Sequence, residues 1–360
     1  MNLTIMMNAS SNTTARFQPP NTIYIGWLYL FLNVFSYISN IFFITLYCKS
    51  PQLHTPFSVY VLTLAITDLV KSCTSNFSQI SNFMEIPWIL GEGFCNLCLY
   101  LTQALAGFVL HVHVLISCNR FWAVTFPNSY RLYHTTKFAA GVVLLTAVYI
   151  NAWSLPGVIV FDQRSRAPYN ARFCVYFPSG PNQQLYAGIT TAFVHWVPQC
   201  IVLLLYPFIA YKVLKVVRKK VHAQSWSRQG TGASRRSDAM ELSKSLAKED
   251  QPTGSATKTY ESGSEKFSAS RGPVPKRMLK SEGRHFLMLT ILFLSVTISW
   301  TPSHIAYTWV IWNSYMDYRL ISIGNYIFSL DCTMNPVLCL VSSKEWRQAA
   351  RALWRRNRTG

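Results

Sequence analysis

The chain has 360 residues, of which 50% are apolar and 13% are charged, and its 33 Lys and Arg against 14 Asp and Glu give a net charge of +19. Since an average globular domain carries about 25% charged residues, this composition excludes an acidic or disordered chain and disfavours an ordinary cytosolic enzyme. The positions of the apolar residues therefore decide which class of protein this is.

Seven stretches are apolar over a length that crosses a bilayer as a helix, which takes about 20 residues. The sequence therefore predicts an all-α membrane protein, a seven-transmembrane helix bundle at 23–341 between an N-tail at 1–22 and a tail at 342–360. We do not expect the polar segment Met1–Pro20 to be a secretory signal. The apolar stretches are Ile23–Cys48, Phe57–Phe83, Phe94–Val124, Phe138–Phe161, Leu185–Val217, Phe286–Ile311 and Leu320–Val341.

The distribution of charge predicts the orientation in the membrane. The segment Lys212–His285 holds 17 basic and 7 acidic residues, and the tail after Val341 holds six more basic residues. Because Lys and Arg gather in loops that stay in the cytoplasm, an extracellular N-terminus is predicted, as in a multi-pass protein of the plasma membrane. Membrane topology then explains the positive charge, and nucleic acid is not expected as a partner.

The segments outside the membrane helices differ in character. Asn2, Asn8 and Asn12 each begin a glycosylation sequon, as an extracellular tail allows. The segment 221–280 has 11 Ser and five Gly with few apolar residues, which predicts a disordered third inner loop. Apolar residues recur at helical spacing between basic residues in 342–360, which predicts a short amphipathic helix against membrane lipids.

Two of the nine cysteines face the outer side of the predicted membrane. Cys95 opens the third helix on that side and Cys174 lies in the outer loop Asp162–Gln184, so a Cys95–Cys174 disulfide is predicted for this oxidising compartment. Cys95 and Cys98 form a CxxC pattern, but no second Cys or His pair completes a zinc site, and no metal is predicted.

Ionisable side chains inside the predicted membrane helices are costly and usually mark function, and Asp68, Lys71, Asp331 and Arg120 are of this kind. Asp68 and Lys71 are three residues apart on one face of the second helix, Asp331 is in the seventh, and Arg120 is near the inner end of the third. Two interpretations are open. Either Asp68 and Lys71 simply neutralise each other, or Asp68, Lys71 and Asp331 form a buried ionic cluster that a conformational change rearranges.

Short motifs follow one another along these helices, and their order is specific although each motif alone is weak. They are Ser39-Asn40, Leu64-Ala65-Ile66-Thr67-Asp68, Trp88-Ile89-Leu90-Gly91 before Cys95, Asn119-Arg120-Phe121, Pro198 with Tyr206, Ser299-Trp300-Thr301-Pro302, and Asn335-Pro336. Together they resemble the rhodopsin-like (class A) G-protein-coupled receptors. The resemblance implies a receptor that binds an extracellular ligand without a cofactor and activates a heterotrimeric G protein.

A second resemblance concerns the ligand. The run Phe121–Pro127 is similar to the biogenic-amine receptors, which hold the ligand ammonium with an Asp where this chain has Thr102. Ser329 stands where opsins have the Lys that binds retinal. A polar, mostly uncharged pocket favours a neutral or anionic ligand, or a peptide end, over an amine. The ligand-binding residues that spacing and resemblance imply are Lys71, Thr102, Gln103, Ala106, Thr190, Thr191, Trp300, His304, Tyr307, Asn325 and Ser329.

The resemblance also implies an activation switch. In the resting state Arg120 would be held by Glu282, at the start of the sixth helix, while Asn119 replaces the Asp that the family places beside this Arg. Pro302 would be the hinge on which the sixth helix swings outward, because proline interrupts the helical hydrogen-bond ladder. The predicted switch residues are Asp68, Asn119, Arg120, Phe121, Tyr206, Glu282, Trp300, Pro302, Asn335 and Pro336.

Alternatives remain at this point. Asn119, and Cys339 where the family has a Tyr, leave open a non-signalling or a constitutively active receptor. A transporter would show similar halves, which the sequence lacks. An enzyme is disfavoured because no nucleophile–base or metal-ligand set is present.

Overall fold

A computed structural model describes residues 22–84, 86–165, 174, 181–215, 276–313 and 318–359. The predicted sequons at Asn2, Asn8 and Asn12 and residues 221–275 of the predicted loop lie outside this part of the chain. Residues 276–280, which were expected in that loop, are instead the start of the sixth helix. They are Lys, Arg, Met, Leu and Lys, all of which favour helix.

The described secondary structure is helical, as the sequence predicted, and one long helix covers each of the seven apolar stretches. The first to seventh helices are Thr22–Lys49, Pro56–Phe83, Gly91–Thr125, Thr136–Ser165, Pro181–Lys215, Lys276–Asn313 and Tyr318–Ser342. Three shorter helices are Pro51–Leu53, Pro127–Tyr133 and the terminal helix Lys344–Thr359.

Length and composition agree with a membrane protein. The first five helices each contain a segment long and apolar enough to cross a bilayer. The sixth and seventh have 38 and 25 residues. At about 1.5 Å per residue each exceeds the thickness of the hydrocarbon core, about 30 Å.

Local sequence signals explain how the second helix begins and where it breaks. Thr55 caps its start by accepting a hydrogen bond from the Ser58 N–H, and Pro56 occupies the first turn, where its missing N–H costs nothing. At Thr74 the helix is interrupted, and a second segment, Ser75–Phe83, continues to Met84.

The chain divides into two compact units, which are described separately. The first comprises Met1–Ile209 and Leu287–Gly360, and the second comprises Ala210–Phe286. In the first unit, the first helix packs on the second and seventh, while the third packs on the second and fourth. In the second unit, Lys215 places its Nζ 5.7 Å from the ring centre of Tyr211.

The predicted disulfide is confirmed. A bond joins Cys95, at the start of the third helix, to Cys174, and both residues are buried. Cys98, the other half of the CxxC pattern, is a buried free thiol. The bond connects the chain before the fifth helix to the N-terminal end of the third helix.

Proline chemistry explains how the first and seventh helices are joined. Pro336 has no N–H, so it cannot bond to the carbonyl of Cys332 four residues earlier. That carbonyl instead accepts hydrogen bonds from Ser36 Oγ at 3.3 Å and from Asn40 Nδ2 at 3.2 Å. Ser72 of the second helix donates to Ser36 Oγ at 3.2 Å, so three helices meet at this point.

The terminal helix folds back on the first helix through aromatic contact. Trp346 is 3% exposed and stacks on Phe43, with 3.8 Å between ring centroids. Both belong to an apolar cluster that also contains Leu46, Leu53, Val61, Ala65, Leu338, Cys339 and Ala349. Cys339, which replaces the family's Tyr, is therefore part of the packing under the terminal helix.

We expect Trp346→Ala to lower the free energy of unfolding by about 3–5 kcal/mol, because it removes a fully packed indole. Trp354 lies on the same helix but is 66% exposed, so Trp354→Ala is the matched control and should change stability far less. Thermal unfolding of the purified protein measures both changes. Equal effects of the two substitutions would contradict the packing described here.

Candidate functional site

Trp300 of the sixth helix joins two polar regions. It is 1% exposed, and its Nε1 donates a hydrogen bond to Asp331 Oδ2 at 3.1 Å. Its ring lies edge-on to Phe328, with centroids 4.5 Å apart, and 5.6 Å from the ring of His304 one turn further along the helix. One indole therefore contacts both His304 and a carboxylate of the seventh helix.

Beyond Trp300, the fifth and sixth helices meet through imidazole rings. The ring centroids of His195 and His304 are 5.1 Å apart, and both residues are buried. His195 lies in a π turn, Ala192–Trp196, in which the Val197 N–H donates to the Ala192 carbonyl. Pro198 follows directly and has no N–H, which interrupts the ordinary ladder here, and turns of this type are frequent at functional sites.

Several buried polar atoms in this region have no hydrogen-bond partner among the described residues. They are Thr190 Oγ1, His195 Nδ1, both ring nitrogens of His304, and both side-chain amide atoms of Gln199. Buried polar groups in proteins are paired in most cases. These atoms can therefore exchange hydrogen bonds with a ligand that enters between the fifth and sixth helices.

Two of the expected pocket residues bond within their own helices. Thr102 donates to the Cys98 carbonyl at 2.7 Å, and Ser329 donates to the Tyr326 carbonyl at 2.8 Å. Gln103, in contrast, crosses to the fifth helix, where its Nε2 lies 3.4 Å from His195 Nε2. The third helix thus reaches the imidazole pair through Gln103.

The other expected pocket residues vary in exposure. Thr191 is buried, Ala106 is partly buried next to the apolar cluster that contains Trp300, and Tyr307 is 40% exposed. The side chain of Asn325 lies outside the described part of the structure.

Lys71 is almost completely buried, and its Nζ lies 5.7 Å from the ring centre of Trp300. Its Nζ donates to Cys332 Sγ at 3.0 Å and lies 4.0 Å from the ring centre of Phe328. No salt bridge joins it to Asp68 or Asp331 within the described structure. The ammonium is therefore one member of a larger set of buried groups and not half of an isolated pair with Asp68.

We call this set the buried polar cluster. Asn335 Nδ2 donates to Asp68 Oδ2 at 3.1 Å, and Ser295 Oγ donates to Asp331 Oδ1 at 3.5 Å. His113 Nε2 lies 3.9 Å from Asp331 Oδ2. These contacts connect the second, third, sixth and seventh helices. The members are Asp68, Lys71, His113, Asp331, Cys332 and Asn335, with Trp300 and Ser295 as donors at the edge.

Pro302 lies inside the sixth helix, with one hydrogen bond to the fifth helix on either side of it. After Pro302 in the sequence, Thr308 Oγ1 accepts a hydrogen bond from Trp196 Nε1 at 2.9 Å. Before Pro302, Thr290 Oγ1 accepts one from the Tyr206 hydroxyl at 2.6 Å. The sequence did not predict Thr290 as a partner of Tyr206.

The guanidinium group of Arg120, near the C-terminal end of the third helix, packs against an aromatic ring. Its guanidinium carbon lies 3.8 Å from the ring centre of Phe57, and the neighbouring Asn119 is 4% exposed. Phe121 packs against Phe208 of the fifth helix, with centroids 5.1 Å apart. The side chain of Glu282 lies outside the described residues, so its pairing with Arg120 stays a prediction.

The charge of Arg120 acts on residues in and directly after the short helix Pro127–Tyr133. Tyr130 and His134 stack at 4.5 Å between centroids, beside Trp122. Burial raises the pKa of the Tyr130 phenol, and Arg120 opposes that rise. Burial lowers the pKa of His134, and Arg120 lowers it further. His134 is therefore neutral near pH 7 in the folded protein, and its protonation in acid costs stability.

Comparison with known proteins decides the family. The model of the family described as "7 transmembrane receptor (rhodopsin family)" matches residues 39–338. The chain belongs to this family. The expected class A membership, the seven-helix fold and the assignment as a multi-pass membrane receptor are thereby confirmed, and the family and its relatives are receptors, not enzymes or transporters.

Several curated receptors are similar to this one. The 5-hydroxytryptamine receptor 1B of Vulpes vulpes is 27% identical over 59% of this chain and 52% of its own length. The same receptor of Didelphis virginiana is 24% identical over 89% and 84%. Melanopsin-A of Danio rerio is 26% identical over 51% and 31%. This chain thus spans only about half, or less, of the length of several relatives that it matches.

Five residues that make the contacts described above were not predicted as site residues, namely His113, His195, Thr290, Ser295 and Cys332. His195 is four residues after Thr191, on the same helical face, which was an available signal. His113 and Cys332 lie in apolar helices, and only the packing of the helices shows what they contact. Thr290 is likewise identified only by its contact with Tyr206.

We expect Tyr206→Phe to lower the free energy of unfolding of the receptor by about 0.5–1.5 kcal/mol, because it removes the bond to Thr290. Thr290→Val removes the same bond from the other side. The double variant should then be only slightly less stable than either single variant, because both substitutions remove the same hydrogen bond. Thermal unfolding in detergent measures this cycle, and full additivity of the two effects would contradict it.

Proposed function

We propose that this receptor binds an extracellular ligand between its third, fifth, sixth and seventh helices and activates a heterotrimeric G protein in the cytoplasm. The observation that carries the proposal is the double contact of Trp300, with His304 on one side and Asp331 on the other. A ligand that engages His304 acts on the buried polar cluster through this indole. Family membership and the excess of basic residues in Lys212–His285 support the same direction of signalling.

The proposed movement is an outward swing of the inner half of the sixth helix at Pro302. The bond from Trp196 to Thr308 lies on the outer side of the hinge and keeps that half in place. The bond from Tyr206 to Thr290 lies on the inner side and resists the swing. Ligand binding shifts an existing equilibrium toward the open state, to the extent that it favours that state.

The ligand that we propose is neutral or acidic. Among the described pocket residues none is a carboxylate, and Thr102 directs its hydroxyl to its own helix. An ammonium would lose its hydration there without a counter-charge, which is costly. The imidazoles of His195 and His304, with three ring nitrogens lacking a partner, offer both donors and acceptors to a carboxyl, hydroxyl or amide group. Ser329 cannot form the Schiff base that retinal requires.

A constitutively active receptor is a second candidate. Asn119 is uncharged, and Arg120 packs on Phe57 instead of facing a carboxylate among the described residues. Glu282 is then the charged partner that we propose for the resting state. A partly buried charge pair is a modest restraint.

We expect no response of the receptor to biogenic amines and a gain of amine response in Thr102→Asp, which supplies the counter-ion. Thr102→Asn is the matched control, because it introduces a side chain of the same size as Asp at the same position without the charge. Nucleotide exchange on purified G proteins, with panels of amines, carboxylic acids and neutral compounds, is the measurement. Activation of the unaltered receptor by an amine would refute the ligand class.

We expect Glu282→Ala to raise ligand-free nucleotide exchange, because it releases Arg120 from its remaining acidic partner. The neighbouring Ser281→Ala should leave the exchange rate near that of the unaltered receptor. Rates are compared at equal receptor concentration. An unchanged rate in Glu282→Ala would show that this pair does not restrain the resting state.

A further inference from the structure

The buried polar cluster has an unbalanced charge. With each group in its ordinary ionised form, Asp68 and Asp331 bring two negative charges and Lys71 brings one positive charge, so one negative charge is in excess. All three side chains are at most 1% exposed. An uncompensated charge is costly inside a membrane protein, so one further positive charge is needed here.

We propose that the cluster is a proton-binding site, in which His113 takes up one proton opposite Asp331. His113 Nε2 lies 3.9 Å from Asp331 Oδ2 and has no hydrogen-bond partner among the described residues. Imidazole is the side chain whose charge changes between about pH 5 and 8. Its protonation turns a neutral contact into an ion pair between the third and seventh helices.

The proposal places the proton on the imidazole because Asp331 acts as a hydrogen-bond acceptor toward its other neighbours. Trp300 Nε1 donates to one carboxylate oxygen at 3.1 Å and Ser295 Oγ to the other at 3.5 Å. Hydrogen bonds from donors favour the ionised carboxylate. Asp68 accepts from Asn335 through Oδ2, while its Oδ1 has no partner, so Asp68 is the competing position for the proton.

The groups around His113 come from several helices. The second helix contributes Asp68 and Lys71, the seventh contributes Asp331 and Cys332, and the sixth contributes Ser295 and Trp300. His304 and His195 lie beyond Trp300, and protonation of that buried pair in acid would oppose the stabilisation by His113. His134 also costs stability in acid. These three histidines stay in every variant below, so their effects cancel in the comparison.

The chain provides a matched control two residues away. His111 lies on a different face of the same helix, and its Nδ1 pairs with the Gly107 carbonyl at 2.8 Å. His113→Asn and His111→Asn therefore remove one imidazole each from the same helix, and only the first removes it from the cluster.

The test measures the melting temperature of the full-length receptor in lipid nanodiscs at pH 6 and pH 8. At each pH, the difference in melting temperature between the unaltered receptor and His113→Asn is taken. This difference should be about 2–4 °C larger at pH 6 than at pH 8, in favour of the unaltered receptor. His111→Asn should retain the pH response, and Asp331→Asn should lose it. An equal margin at both pH values would overturn the proposal, as would a response lost in Asp68→Asn but kept in His113→Asn.

A second measurement tests whether the proton affects signalling, and this part rests on the proposed function. Protonated His113 holds the third, sixth and seventh helices together at Asp331, so ligand-free nucleotide exchange should fall several-fold from pH 8 to pH 6 relative to His113→Asn. An unchanged rate would overturn the coupling but not the site. If no variant supported exchange at any pH, the proposed function would fail, and the melting temperatures would still decide on the proton site.

Discussion

Polar groups inside the membrane helices of this receptor must find partners within the protein, and the contacts between its helices follow from this constraint. The carbonyl that Pro336 leaves free is bound by Ser36 and Asn40. Asp331 accepts the indole N–H of Trp300. Each bond joins two different helices. Pairing avoids the free-energy cost of an unpaired polar group in lipid and at the same time fixes which helices are in contact.

The same constraint explains why the groups around His304 and those around Asp331 are connected by contacts of Trp300. Among the buried polar atoms without a partner in the described structure, some lie at His195 and His304 and others at Asp68 and His113, with Trp300 between the two groups. The indole between them is fully buried and cannot change position alone, because Phe328 and His304 pack against its ring. Under the function proposed above, a group that binds beside His304 alters the contacts of Trp300 with the buried polar cluster.

Much of the fold could be predicted from the sequence, because long apolar stretches and charged loops are governed by the membrane alone. The disulfide followed from the oxidising side of the membrane. The start of the sixth helix at Lys276 was missed, since basic residues there favour a loop by composition but favour helix by propensity.

The site was predictable only where a family motif marks it. Motifs identified Trp300, Asp68 and Asn335, and the structure brings Asn335 onto Asp68 and Trp300 onto Asp331. The partners of Lys71 were not predictable, because helical spacing gives the face of a residue but not the depth at which two helices meet. The sequence left open a pair with Asp68 or a cluster with Asp68 and Asp331, and packing brings the ammonium to Cys332 and Phe328.

The stacking of Trp346 on Phe43 has a practical consequence for work with this receptor. The terminal helix is part of the folded core and not a free tail, so a fluorescent reporter or purification tag should follow Thr359 and should not replace any part of Lys344–Thr359. A truncation at Ser342, at the end of the seventh helix, would leave the apolar surface around Phe43 open to detergent and promote aggregation during purification.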